Sequence, residues 1–103
     1  MPIPAQMREE MSNDPYYKKC CLNGKGHGDC EGRIEWHHVI IFKGRQLQEK
    51  FAIVPACQGH HRLAEPLREH FEREALNRAT DEELEAISKA IDYKAKRDRL
   101  NNG

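Results

Sequence analysis

Cys57-Gln58-Gly59-His60-His61 is the segment that most constrains this chain. A cysteine and a histidine with two residues between them have the spacing at which a knuckle or a first helical turn presents two ligands to one tetrahedral zinc ion. Cys30 supplies a third ligand, and Cys20 or Cys21 the fourth, because the Gly-rich loop after Cys21 can fold both thiolates toward one ion. His27, inside that loop, is an alternative. Only one of the adjacent Cys20 and Cys21 fits a single site, so the other is expected to pack as a small hydrophobe. A complete Cys3His set is a closed structural Zn2+ site.

The rest of the composition explains why such a staple is needed. The chain has 103 residues, 38% of them hydrophobic and 33% charged. That allows one small domain with a thin core, for which a metal or cross-link is expected. The longest apolar run is Val39-Ile40-Ile41-Phe42, far short of the roughly 20 residues that span a bilayer, so no membrane partner is expected. The first residues carry neither a basic region nor an apolar stretch of the secretory kind, which makes a cytoplasmic location the default. In that reducing setting four cysteines read as thiols or metal ligands rather than disulfides. The formal net charge is zero, so contact with a polyanion must come from local patches.

The pattern along the chain predicts an α+β fold. Residues 1–15 show no period and end in the turn-like Ser12-Asn13-Asp14-Pro15, which suggests a flexible arm. Residues 16–79 form the expected core. Arg33-Ile34-Glu35-Trp36 alternates, placing Ile34 and Trp36 on one face of a half-buried strand with His37 and His38 at its end. Trp36 is expected to be core. Phe51 to Cys57 is a second β-prone run, and Leu63, Leu67, Phe71 and Ala75 recur every four residues in one or two helices over 58–79, with Pro66 in a first turn or kink. Thr80-Asp81-Glu82-Glu83 has capping-box spacing, so a final helix is expected over 80–103, packed on the core. Lys94, Lys96, Arg97 and Arg99 near its end complement the helix dipole or contact phosphate.

With zinc assigned to Cys57 and His60, the residues His37, His38 and His61 remain. The order Cys20/Cys21, Cys30, Glu35-Trp36-His37-His38, then Ile53 through Cys57-Gln58-Gly59-His60-His61, resembles the HNH endonuclease family over about residues 16–70. Many members of that family are encoded by phages. The resemblance implies a ββα-metal finger holding one catalytic divalent ion (Mg2+, Mn2+, Ni2+ or Zn2+), with a zinc knuckle bracing the hairpin against the helix. It implies His38 as general base and His37 and His61 as ligands of the catalytic ion, while Cys57 and His60 match the second zinc-ligand pair. The implied reaction is hydrolysis of DNA phosphodiester bonds, leaving a 5′-phosphate and a 3′-hydroxyl.

The chemistry is consistent with those roles: a histidine near its reference pKa of about 6.5 can take a proton from water at neutral pH, and a neighbouring metal neutralises charge at the phosphate. The family's central Asn falls at Ala52 in this register, and Gln46 or Gln48 is a candidate substitute in orienting the histidine. For a further metal ligand, Glu65 lies four residues beyond His61 and shares its face if both are helical, with His70 as the alternative. A regular strand would send His37 and His38 to opposite faces, so the strand is expected to end or bulge there. Arg33, Lys43, Arg45, Lys50 and Arg62 are candidate phosphate contacts. Neutral charge points to a protein partner that supplies specificity. The competing expectation is a zinc-binding nucleic-acid or protein interaction module without catalysis, consistent with the missing Asn.

Overall fold

Burial at one short strand organises the molecule. In the computed structural model, which describes residues 3–102, every residue of the strand Ile53–Cys57 is buried. We number the strands β1 (Ile34–His38), β2 (Ile41–Phe42), β3 (Arg45–Gln46) and β4 (Ile53–Cys57). The helices are α1 (Ala5–Asn13), α2 (Gln58–Arg62), α3 (Arg68–Arg78), α4 (Asp81–Ile87) and α5 (Tyr93–Asn102). The fold is a small α+β arrangement with two separate antiparallel strand pairs among the described residues.

β1 pairs with β4 in an unbroken antiparallel register, from Ile34 opposite Cys57 to His38 opposite Ile53. Alternation along β4 sends successive side chains to different apolar groups. Ile53 joins Met11 and Tyr17, with Trp36 packed against them, while Val54 and Ala56 join Phe71, Leu76, Leu84 and Tyr93. Trp36 thus contributes to the core as expected. Pro55 has no amide proton to give a ladder, but its carbonyl accepts from the amide of Cys21 at 2.8 Å. That bond ties the segment before the Gly-rich loop to β4.

The start of β4 is held by a polar brace. The Tyr17 hydroxyl donates toward the carbonyls of Lys50 and Ile53, at 2.9 and 3.0 Å. The Arg78 guanidinium donates to that hydroxyl and to both carbonyls, at 3.0, 3.1 and 3.3 Å. It also lies 3.9 Å over the Tyr16 ring, a cation–π contact.

Two expectations about secondary structure are corrected, and one hairpin is added to them. The segment read as a flexible arm forms α1, because Met11 is fully buried against Tyr17 and Ile53 and so gives the helix an anchor its weak periodicity hides. The polar stretch after Phe42 contains a tight hairpin, with Lys43 and Gly44 at φ 54° and 76° closing β2 onto β3. Such a turn favours Asn or Gly at its first position, so lysine conceals it. Finally, the helix expected over 80–103 is two helices. Thr80 and Glu83 form the capping box at 3.1 and 2.8 Å. The Ser88 hydroxyl then donates back to the Leu84 carbonyl at 2.7 Å and accepts from the Tyr93 amide, while Asp92 accepts from the Ala95 amide at 3.1 Å. Local side-chain bonds of this kind compete with helix continuation. Among the described residues no helix is long and apolar enough to cross a membrane.

Candidate metal centres

The turn from β4 into α2 makes the first centre. Cys57 caps α2, its sulfur accepting from the His60 amide at 3.3 Å. One helical turn later the imidazole of His60 lies over the same sulfur. Cys20 and Cys30, at the two ends of the Gly-rich loop, complete a group whose ligand atoms all fall within 4.8 Å of one another. The Nδ1 of His60 is 3.2 Å from Cys57 Sγ, 3.4 Å from Cys20 Sγ and 3.8 Å from Cys30 Sγ. A tetrahedral ion about 2.3 Å from sulfur and about 2.0 Å from nitrogen sets its ligand atoms roughly 3.5–3.8 Å apart, so the four groups fit zinc.

Two further observations suit metal binding. His60 is 2% exposed, and its Nε2–H donates to the carbonyl of His27 at 3.0 Å. That bond fixes the tautomer and leaves the Nδ1 lone pair facing the thiols. Burial opposes ionisation of Cys57, but the amides of His60 and Glu31 and the neighbouring thiols outweigh it and pull the thiol down to about 7. A thiolate is the form a metal requires.

The structure chooses between the adjacent cysteines. Of these two alternatives Cys20 is in the cluster and Cys21 is not. Burial, with Glu74 and Cys20 adding to it, pushes the Cys21 thiol up to about 12, so it stays neutral within the apolar core. His27 contributes its carbonyl rather than its ring.

On the other side of α2, His61 meets β1. Its Nδ1 lies 2.9 Å from Oε1 of Glu35, and its ring centroid 4.7 Å from that of His37. Glu35 and His37 are two positions apart on a regular strand and therefore share a face. The His37 ring also stands edge-on to Phe71 at 4.8 Å. Burial, then the neighbouring His61 and His38, push its pKa down to about 4, so it is neutral at neutral pH. The hydrogen bond from His61, against some burial, holds the Glu35 carboxyl below the usual range, with Gln58 and Arg33 adding to the effect. A carboxylate only accepts, so His61 donates from Nδ1.

The expected end or bulge before His38 does not occur: β1 is regular through both histidines. His38 therefore faces away from His37. Its Nε2 contacts the Gln48 carbonyl oxygen at 3.1 Å, so of the two candidate glutamines the structure places Gln48 beside it. Ala52 is fully buried in the core.

Glu65 is not brought to His37 and His61. α2 ends at Arg62, and Leu63 closes it with non-helical angles, so Glu65 sits exposed in the turn before α3 and the four-residue helical spacing never applies. His70 is elsewhere too, its ring 4.2 Å from that of His27. Among the described residues no second group of three or more His, Cys, Asp or Glu side chains gathers at ligand distance. The residue that sequence reasoning left unassigned is Glu35; its signal was the Glu-x-His spacing on a strand.

The candidate phosphate contacts Arg33, Lys43, Arg45 and Arg62 are all exposed, and Lys50 is partly so. Arg62 lies 3.6 Å from Glu31, and Lys43 lies 5.4 Å from the centre of the Phe42 ring. In α5, Lys94, Lys96 and Arg97 pair with Glu85, Glu72 and Asp81 at 2.7, 2.5 and 3.0 Å.

Comparison with protein-family models, with curated proteins and with solved structures finds no match to this chain.

Proposed function

We propose that the protein is a metal-dependent nuclease of the HNH type that hydrolyses DNA phosphodiester bonds. The observation that carries this reading is the position of His61: Glu35 holds it by Nδ1 with its ring centroid 4.7 Å from that of the neutral His37. Two imidazoles, one of them oriented by a carboxylate, form the donor set of a catalytic metal site with open positions. β1, β4 and α2 then form the ββα unit, with the Cys3His cluster as its zinc brace.

In this reading His37 and His61 hold a divalent ion, which supplies charge neutralisation at the scissile phosphate. His38 is the general base. The amide oxygen of Gln48 can only accept, so the His38 proton lies on Nε2 and the lone pair on Nδ1 is left to take a proton from water. Gln48 thereby does for His38 what the family's Asn does. Because His37 and His38 face opposite ways, the phosphate must lie across the end of β1, with His38 as the last strand residue.

A second reading, a zinc module without catalysis, is favoured by one observation: among the described residues a complete ligand group forms only at Cys20, Cys30, Cys57 and His60. The deciding experiment incubates zinc-loaded protein with supercoiled plasmid and Mg2+, Mn2+ or Ni2+. The nuclease reading expects nicking that His38→Ala abolishes and Gln48→Ala weakens. Absence of nicking with every ion, or nicking unchanged in His38→Ala, overturns it in favour of the zinc module.

A further inference from the structure

Between the Gly-rich loop and α3 lies a cleft of about 330 Å³ that neither metal centre uses, lined by Lys25, His27, His70, Arg73, Glu74 and Asn77 among others. Its charged groups are two cations, Lys25 and Arg73, and one carboxylate, Glu74. Arg73 gives a guanidinium N–H to Nδ1 of His70 at 2.7 Å. A guanidinium cannot accept, so the His70 proton lies on Nε2, and Arg73 retains further N–H groups. Burial, with His27 and Arg73 beside it, lowers the His70 pKa, in keeping with a neutral ring.

The carboxylate in the cleft is already satisfied. Glu74 accepts from the Tyr16 hydroxyl through Oε1 at 2.8 Å and from Lys25 through Oε2 at 3.0 Å. Lys25 and Arg73 against Glu74 leave one net positive charge, in a chain whose formal net charge is zero. The wall formed by His70 and Arg73 is shared with a neighbouring cleft of about 550 Å³ that presents Arg68 and Arg99 together with Glu65 and Glu69.

We propose that this cleft binds a backbone phosphate of the DNA strand, with Arg73 and His70 donating to it and Lys25 and His27 closing over it from the loop. The choice of a nucleic-acid strand rests on the functional reading above. Continuity with the zinc cluster supports it: the His27 carbonyl is the acceptor for His60, and Cys20 and Cys30 at either end of the loop place Lys25 and His27 in the cleft.

The test is fluorescence anisotropy of a labelled DNA duplex with zinc-loaded protein lacking other divalent ions, over a series of KCl concentrations. Arg73→Gln is expected to weaken binding about tenfold and to lower the salt slope by about one. His27→Gln, which keeps the carbonyl that His60 needs, should weaken it less. Lys89→Gln, which removes the same charge from an exposed position beside a different cavity, should bind as the unaltered protein does. Zinc content and thermal unfolding confirm that each variant is folded.

Equal affinity and slope for Arg73→Gln and the unaltered protein overturn the proposal while leaving nicking, and so the nuclease reading, intact. If the unaltered protein binds no duplex even at low salt, the proposal falls, and the nicking assay decides the nuclease reading separately. Titration with inorganic phosphate followed by ³¹P NMR separates the sources. Arg73-dependent phosphate binding with duplex affinity unaffected by Arg73→Gln makes the cleft a small-anion site and overturns its assignment to DNA.

Discussion

His60 and His61 are adjacent on α2 and use the same ring nitrogen for different partners: Nδ1 of His60 faces three sulfurs, whereas Nδ1 of His61 bonds to Glu35. Neighbours on a helix point about 100° apart. One short helix therefore turns His60 into the cysteine cluster and His61 toward Glu35 and His37 of β1. His60→Ala is expected to lose zinc and unfold, since it removes one of four ligands at a buried site. His61→Ala should retain zinc and fold while losing nicking. Elemental analysis, circular dichroism and the plasmid assay separate the two. Two variants that both simply unfold would remove the distinction.

Cys20 and Cys21 should behave differently although they are neighbours. Cys20→Ser should lose most bound zinc, and with it binding free energy that is about 10–16 kcal/mol for structural zinc in small domains. Cys21→Ala should keep a full equivalent and cost about 1–2 kcal/mol for the small cavity left beside β4. Zinc stoichiometry by mass spectrometry together with urea unfolding decides it; equal zinc loss in both variants contradicts the assignment.

Glu35→Gln tests whether the carboxylate orients His61. The substitution keeps the shape but weakens the accepted hydrogen bond, so affinity for Mn2+ or Ni2+ at the second centre should fall about 10–100-fold, as for other groups that orient a metal-bound histidine. Zinc at the cysteine cluster should be untouched. Calorimetric titration of zinc-loaded protein is the measurement, and unchanged affinity for the second ion would show that Glu35 plays no part there.

Arg78 is expected to matter for stability alone. Replacing it with Met removes a charged donor from the Tyr17 hydroxyl and from the carbonyls of Lys50 and Ile53, at a cost of about 2–3 kcal/mol. Denaturant unfolding should show the loss, with zinc content unchanged. A loss of zinc at the same occupancy of the folded state would instead tie this brace to the metal cluster.

Much of the molecule was readable from local pattern. The alternation at Ile34 and Trp36, the run into Cys57, the Thr80 capping box and the Cys57–His60 spacing all depend on residues close in sequence, and each appears in the structure. α1 was not readable, since its burial rests on Met11 meeting Ile53 across the chain. Nor was the break at Ser88, where a hydroxyl competes with the helix for its own backbone.

The candidate centres divide in the same way. The sequence by itself determined which residue types can bind metal and that Cys57 and His60 are spaced to do so, because helical geometry fixes what a short segment can present. Only the tertiary structure decided that Cys20 rather than Cys21 joins them, that Glu35 rather than Glu65 meets His61, and that Gln48 meets His38. The physical reason is that these pairings depend on where a loop crosses β4, where α2 stops, and which face of β1 each histidine occupies. Contacts between distant segments set those features, and no periodicity in the sequence encodes them.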